Sequence, residues 1–273
     1  MSDPVSIDKA TVGVTDVVLL AGMVSDSITR KYPDDANKIN NLGIKTCLGL
    51  LNGRGIDRVI YTSSCSNYGV IAKNETASET HVTHATSSYA ADKIKIEKYL
   101  IMNRSDYAPT ILRFATAFGL STRLRLDLTI NEFTYLAKSK GKLTIFNPTA
   151  WRPYCHVKDF ARLINLVLLA PKKVVDGEIF NAGGDQNNYT KQGIVDLITK
   201  YVPDVKIQYE GHSPDIRDYK VNFSKVKNVL NFVPEYSVEY GIKELLDAMG
   251  SHVYDNINHL DSLYGNYEIF IDN

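Results

Sequence analysis

The chain has 273 residues, of which 44% are hydrophobic and 23% are charged, proportions typical of a globular protein with a sizeable core. Basic and acidic residues number 31 each, so the charge balance does not indicate nucleic acid or an anionic membrane as a partner. The three cysteines are dispersed and indicate neither a disulfide framework nor a zinc site, and no window approaches the ~20 apolar residues of a membrane span. We therefore expect a reduced, cytoplasmic protein that binds a small molecule and no metal.

The first part of the chain alternates predicted strands with predicted helices. Apolar runs of strand length, the first of them typical of a strand buried on both faces, alternate with segments whose apolar residues recur at helical spacing. In chain order these are a strand over 16–22, a helix over 34–52, a strand over 58–63, a helix over 89–103 and a strand over 109–114. This order predicts an α/β fold with a doubly wound parallel sheet.

Beyond Gly119 the alternation is looser and predicts a smaller α+β lobe. Its elements are a helix over 128–139, a strand over 142–146, a helix over 157–169, a strand over 178–181 and a helix over 191–201. The tail, 251–273, is aromatic and polar without clear periodicity. No Pro-rich linker separates the two parts, so we expect them to share a continuous core.

Tyr89 and Lys93 stand four residues apart at the start of a predicted helix, so their side chains share one helix face. A phenol with a pKa of ~10 is a poor base at neutral pH, but a nearby lysine cation stabilises the phenolate. Upstream, Ser64 belongs to a hydroxyl cluster at the carboxyl end of a strand, where ligands bind in such folds. The alternative interpretations are a solvated Tyr–Lys pair and a turn or cap formed by the serines.

The order of several further motifs resembles the extended short-chain dehydrogenases/reductases, and within them the NAD-dependent epimerase/dehydratase family that acts on nucleotide sugars. The motifs run from about Asp3 to Leu246 in the order expected of that family. They are Asp16-Val-Val-Leu-Leu-Ala-Gly22, Asn40-x-x-Gly43, Thr62-Ser-Ser-Cys-Ser-Asn-Tyr-Gly69, Tyr89-x-x-x-Lys93, Leu112-Arg-Phe114, Trp151-Arg-Pro-Tyr-Cys-His-Val-x-Asp159, Phe180-Asn-Ala-Gly-Gly184 and Arg217-Asp-Tyr219.

The resemblance implies a role for each matched residue. Tyr89 is the acid/base, Lys93 lowers its pKa and holds the nicotinamide ribose, and Ser64 hydrogen-bonds the reacting sugar oxygen. The implied cofactor contacts are Ala21, Gly22, Asn40, Ser63, Tyr89 and Lys93, for NAD with NADP not excluded. The implied substrate contacts are Ser64, Asn131, Arg152 and Arg217, with the two arginines gripping the diphosphate of a nucleotide sugar.

The resemblance also bears on the type of reaction. In the family's 4,6-dehydratases the catalytic Thr is followed by Asp and Glu, but here Cys65 and Ser66 hold those positions. This difference favours epimerisation, or simple oxidoreduction at a sugar carbon, over dehydration.

The glycine-rich cofactor turn of a dinucleotide-binding fold is missing from the motifs. We therefore expect an incomplete Rossmann-like sheet, without its first strands, with an exposed edge beside the 16–22 strand. We predict a partial NAD-binding domain over 1–125, a partly interleaved nucleotide-sugar lobe over 126–250 and a tail over 251–273. Three alternatives stay open: an N-terminally truncated epimerase, a chain that a homodimer partner or a complementing chain completes, and a non-catalytic sugar-nucleotide binding or interaction module.

Overall fold

The computed structural model describes residues 3–103, 105–211, 215–251, 254, 257 and 263–268. Its strands are β1 (Asp16–Leu19), β2 (Arg58–Ser64), β3 (Ala108–Phe114), β4 (Thr116–Phe118), β5 (Lys142–Phe146), β6 (Trp151–His156), β7 (Glu178–Ala182), β8 (Asn188–Thr190) and β9 (Lys206–Glu210). Its helices are α1 (Pro4–Ala10), α2 (Asp26–Lys31), α3 (Pro33–Ala36), α4 (Ile44–Leu51), α5 (Ser88–Met102), α6 (Thr129–Lys140), α7 (Val157–Leu169), α8 (Lys172–Val175), α9 (Lys191–Thr199), α10 (Ser224–Leu230) and α11 (Val238–Gly250).

The main sheet is parallel, with strand order β1-β2-β3-β7. Ser64 is aligned with Phe114, and Phe114 with Ala182, so the strands end at one common edge. The predicted α/β fold with a parallel sheet is confirmed. Strand β7 comes from the second half of the chain, so the two predicted regions are interleaved in one sheet.

Strand β1 is shorter than predicted and is not fully buried. It ends at Leu19, and the next residue, Leu20, has an exposed fraction of 63%. Within the described residues β1 pairs with β2 alone, so its other edge has no strand partner. The prediction of a strand buried on both faces as far as Gly22 is therefore wrong, because a strand at a sheet edge is covered on fewer sides.

The predicted helix over 34–52 consists of α3 and α4 joined by a π-helical stretch, Asn37–Gly43. A π stretch inserts wider turns into a helix and often lies at a functional site. Here it places the buried side chain of Asn40 against the loop that follows β1.

The second lobe is built from short elements. Strands β4, β6 and β8 form one small sheet, and β5 pairs in parallel with β9. Its apolar core comes from α6, α9 and α11 together with β5. The sequence analysis did not predict β4, β6, β8, β9, α10 or α11. Strands β4 and β8 have three residues each, which is too short to show an alternating pattern.

Residues from the segment between β9 and α10 also pack in the apolar core of the main sheet. Val221 and Phe223 pack in the same buried cluster as Leu112 and Phe180. Within the described residues, no helix is long and apolar enough to cross a membrane.

Candidate active site

A cavity of about 920 Å³ opens at the carboxyl edge of the main sheet. One wall is formed by the end of β2, the start of α5 and the loop between β1 and α2. The opposite wall is formed by α6, β5 and the segment that begins at Asp215. Its position agrees with the general rule that ligands of open α/β sheets bind beyond the carboxyl ends of the strands.

Ser64, Tyr89 and Lys93 meet in this cavity. The Ser64 hydroxyl accepts from the Ser66 backbone N–H at 3.1 Å and from the Ser66 hydroxyl at 2.8 Å. Lys93 Nζ donates to the Thr62 carbonyl oxygen at 2.6 Å and lies 5.7 Å from the centroid of the Tyr89 ring. The three residues predicted to be catalytic therefore form one cluster.

The electrostatics of the cluster differ from the simple expectation for a Tyr–Lys pair. Burial raises the pKa of Tyr89 to about 12, and the positive charges that oppose this rise are those of Arg125 and Arg217. Burial lowers the pKa of Lys93 to about 8, against an opposing effect of Glu97. Arg125 and Arg217 therefore favour the phenolate, while Lys93 stays mostly charged at pH 7 although burial has brought its pKa close to neutrality.

A buried polar network lies beneath Ser64. Arg113 Nη2 and Glu97 Oε2 form an ion pair at 2.7 Å, and both side chains are about 95% buried. The Ser63 hydroxyl donates to Glu97 Oε1 at 2.5 Å, and Arg113 Nη1 donates to the Tyr68 hydroxyl at 2.9 Å, which in turn donates to Asn181 Oδ1 at 2.7 Å. The Ser63 side chain, predicted to contact the cofactor, therefore supports the Ser64 loop from behind.

Asn40 fixes the loop that follows β1. Its Oδ1 accepts from the Met23 N–H at 2.8 Å and its Nδ2 donates to the Met23 carbonyl at 2.9 Å. Gly22 lies directly against this amide, and a Cβ at that position would stand 3.1 Å from Asn40 Oδ1. Of these three predicted cofactor contacts, Gly22 lines the cavity and Ala21 is exposed outside the cavity lining. Asn40 does not line the cavity but holds the loop that contains Gly22 in place.

Arg152 and Arg217 lie together on the opposite wall, and both are held by Asp215. Arg217 Nε and Nη2 donate to the two Asp215 oxygens at 2.8 and 3.0 Å, and Arg152 Nη2 donates to Oδ1 at 3.1 Å. Arg217 Nη1 also pairs with Asp26 at 3.0 Å across the cavity. A guanidinium can form the same fork with a phosphate group, but here a phosphate would have to displace or share Asp215 and Asp26 to reach Arg217.

Asn131 lies behind the cavity wall. Its Oδ1 accepts from the Gly119 N–H at 3.0 Å and its Nδ2 donates to the Arg125 carbonyl at 3.0 Å. The side chain has an exposed fraction of 2%, so it shapes the loop before α6 from within. The structure therefore does not bring Asn131 to the cavity surface with the other predicted substrate contacts.

Sequence reasoning missed several charged residues of the cavity, among them two ion pairs with arginines. Arg125 forms a bidentate pair with Asp127, whose oxygens it contacts at 2.9 and 2.6 Å. Glu132 lines the same wall, where burial and the negative charge of Asp127 raise its pKa to about 7. Asp26 and Asp215 pair with the two arginines. The sequence does place Arg125 two residues before Asp127 and Asp215 two residues before Arg217, which could have indicated the two ion pairs. Because opposite charges at this spacing are common in sequences, the spacing alone does not predict a site.

The site residues fit one end of a dinucleotide. Among the described residues, Lys93 has one hydrogen-bond acceptor, the Thr62 carbonyl, for its three N–H donors, and Tyr89 stands beside it at the cavity wall. This arrangement suits the hydroxyls of a nicotinamide ribose. For the diphosphate end, the described residues contain no strand that enters a helix through a glycine-rich turn, and α2 carries the acidic Asp26 in its first turn. The described residues therefore fit the nicotinamide-ribose end alone.

A Rossmann-like parallel sheet that carries a serine, a tyrosine and a lysine at its carboxyl edge defines the short-chain dehydrogenase/reductase class. The family model for the NAD dependent epimerase/dehydratase family matches residues 1–183. The chain belongs to this family.

The chain is similar to one curated protein in sequence and to two solved structures in fold. A UDP-glucuronate 4-epimerase of Thermodesulfobacterium geofontis is 24% identical over 242 residues, which cover 87% of this chain and 73% of that protein. The UDP-glucose 4-epimerase of Thermotoga maritima, solved with UDP-glucose, superimposes with a TM-score of 0.82 at 23% identity, covering 92% of this chain and 83% of that one. TunA, an NAD-dependent NDP-hexosamine 5,6-dehydratase of tunicamycin biosynthesis, superimposes with a TM-score of 0.81 at 19% identity, covering 92% and 81%.

Proposed function

We propose that this chain carries the catalytic and substrate-binding residues of an NAD-dependent nucleotide-sugar epimerase. One observation carries the proposal: the Ser64, Tyr89 and Lys93 cluster shares a single cavity with the arginine pair Arg152 and Arg217. A nucleotide sugar has a diphosphate at one end and a ring hydroxyl at the other, and the cavity offers a matching group for each.

In the proposed reaction the residues of the chain hold the sugar and move one proton. The two arginines bind the diphosphate, which is a bidentate task suited to guanidinium groups. Ser64 hydrogen-bonds the reacting hydroxyl, and the phenolate form of Tyr89 accepts its proton. Bound NAD would supply the hydride acceptor and donor that inversion at the same ring carbon requires. Lys93 supports the site by donating to the ribose next to the phenol.

The residues after Ser64 support epimerisation over dehydration. Cys65 is 99% buried, its Sγ donates to the Arg113 carbonyl at 3.0 Å, and burial raises the pKa of its thiol far above the usual range. The Ser66 hydroxyl is bonded to Ser64. Neither side chain offers the carboxylic acid that an elimination of water requires next to the catalytic hydroxyl.

Activity of a Tyr89→Phe variant tests the proposal. With NAD and UDP-glucose or UDP-glucuronic acid, we expect the parent to form the 4-epimer, and the variant to lose roughly 10²–10⁴-fold in kcat because it lacks the proton acceptor. Tyr209→Phe is the matched control, since Tyr209 is 52% exposed on β9 and should leave kcat unchanged. A Tyr89→Phe variant with more than a tenth of the parent kcat would contradict the proposed role.

A second candidate is a non-catalytic module that binds nucleotide sugars, and two observations favour it. The described residues lack a glycine-rich turn, and the pKa of Tyr89 is raised to about 12, which opposes the phenolate at neutral pH. This candidate predicts that calorimetry detects binding of UDP-sugars but no binding of NAD.

The edge of β1 has no strand partner within the described residues, which supports a homodimer or a complementing chain. The mass of the protein in solution tests this expectation.

A further inference from the structure

The segment 263–268 crosses the rim of the cavity and contacts both of its walls. On one side lies the stretch from Val24 to Lys31, which includes α2. On the other side lies the loop 120–128, which precedes α6. We propose that Asn266 is a positioning residue that cross-links these two walls and thereby sets the affinity of the cavity for a nucleotide sugar. This inference rests on the proposed function for the identity of the ligand.

Asn266 forms hydrogen bonds to both walls. Toward the first wall, its Nδ2 donates to the Val24 carbonyl at 2.6 Å, and its own carbonyl accepts from the Ser27 hydroxyl at 3.5 Å. Toward the second wall, its Oδ1 accepts from Arg123 Nη2 at 3.0 Å, and its backbone N–H donates to Asp127 Oδ2 at 3.4 Å. Val24, Ser27 and Asp127 all line the cavity.

Neighbouring residues hold the segment in the same place. The Leu126 N–H donates to the Tyr264 carbonyl at 2.5 Å, and Arg123 Nη2 donates to the Gly265 carbonyl at 3.1 Å. The Lys31 and Glu268 side chains form an exposed ion pair at 2.5 Å, so the attachment to α2 does not depend on Asn266 alone. The side-chain amide of Asn266 is nevertheless the side-chain group of this segment that bonds both the Val24–Lys31 stretch and the 120–128 loop.

The cross-link also continues toward the catalytic tyrosine. Asp127, which accepts from the Asn266 backbone, forms the bidentate pair with Arg125. Burial raises the pKa of Tyr89, and Arg125 is the first of the positive charges that oppose this rise. A change in the position of Asp127 would therefore be transmitted through Arg125 to the phenol.

Removal of the side-chain amide should loosen the walls, so that a ligand has to order them when it binds. By calorimetry with UDP-glucose and with UDP-glucuronic acid, we expect Asn266→Ala in the full chain to weaken binding about tenfold or more. Asn266→Gln keeps both amide groups and should recover part of the loss. Asn103→Ala is the matched control, because Asn103 is exposed and its amide donates to the Tyr99 carbonyl at the end of α5.

Amide hydrogen exchange makes the test independent of the ligand. In the parent, the Leu126 amide should be protected by its bond to Tyr264, and Asn266→Ala should accelerate its exchange about tenfold, whereas Asn103→Ala should not. Unchanged exchange at Leu126 and in the 24–29 stretch would overturn the cross-link. Unchanged affinity in Asn266→Ala, with a parent that binds a UDP-sugar, would overturn its role in binding. A parent that binds neither UDP-sugar would overturn the proposed function and also the role in affinity, and the exchange result would still decide the cross-link.

Discussion

Replacement of Lys93 by methionine should stabilise the fold. Lys93 has an exposed fraction of 8%, and burial lowers its pKa from 10.5 to about 8. At ~1.36 kcal/mol for each pH unit, this fall means that burial of the charged amine costs about 3 kcal/mol of folding stability at pH 7. Methionine removes that cost but leaves the Thr62 carbonyl without its donor, at about 1 kcal/mol. We expect a net gain of about 2 kcal/mol.

The sign of the effect also predicts its dependence on pH. Between pH 8 and 10.5 the unfolded chain keeps the proton of Lys93 and the folded chain loses it, so the stability contribution of this group rises with pH in that range. The gain from Lys93→Met should therefore be largest below pH 8 and should vanish near pH 10.5. Urea unfolding of both proteins at pH 7, 9 and 10.5 measures the difference. A variant less stable than the parent at pH 7, or a difference that does not shrink as the pH rises, would refute the reasoning.

Two further predictions concern the support of the catalytic loop. Glu97→Ala should lower the free energy of unfolding by about 3–5 kcal/mol, because it leaves the Arg113 guanidinium buried without its counter-ion. Glu178→Ala is the control, because Glu178 forms an exposed ion pair with Lys225 and its loss should lower the free energy of unfolding by less than about 1 kcal/mol in the same urea experiment. Equal losses of stability in Glu97→Ala and Glu178→Ala would contradict the role of burial. Gly69→Ala should lower the free energy of unfolding by more than about 1 kcal/mol, because Gly69 has φ 66° and a Cβ there would overlap the His84 carbonyl oxygen. A melting temperature within a degree of that of the parent would argue against this strain.

The main elements of the first half were predictable because each is a long apolar or periodic run. Strands β2 and β3 and helix α5 lie within a residue or so of their predicted bounds. The π-helical stretch was not predictable, since its apolar residues continue the helical spacing on either side. Strand β6 was missed because its sequence, Trp151–His156, alternates neither apolar with polar nor large with small, although nearly all of it is buried.

The candidate site was predictable to the extent that its residues belong to local motifs. Ser64, Tyr89 and the arginine pair meet in one cavity, as the motifs indicate. Asn131 lies behind the cavity wall, and Ser63 lines the cavity while its hydroxyl donates to Glu97. These arrangements were not predictable because tertiary packing brings Gly119 and Glu97 to the two side chains. The pairing of Arg217 with Asp26 joins residues far apart in the chain, and a single sequence carries no record of such contacts.

The inclusion of β7 in the main sheet sets an order of events during synthesis. The Tyr68 hydroxyl, beneath the catalytic loop, is satisfied by Asn181, a residue of β7 that is translated 113 positions later. Until β7 has left the ribosome, strand β3 has an unpaired edge and the Tyr68 hydroxyl lacks its acceptor on Asn181. The candidate site of the nascent chain therefore cannot be completed before β7 has emerged, and until then a chaperone that covers the edge of β3 would protect the chain from association.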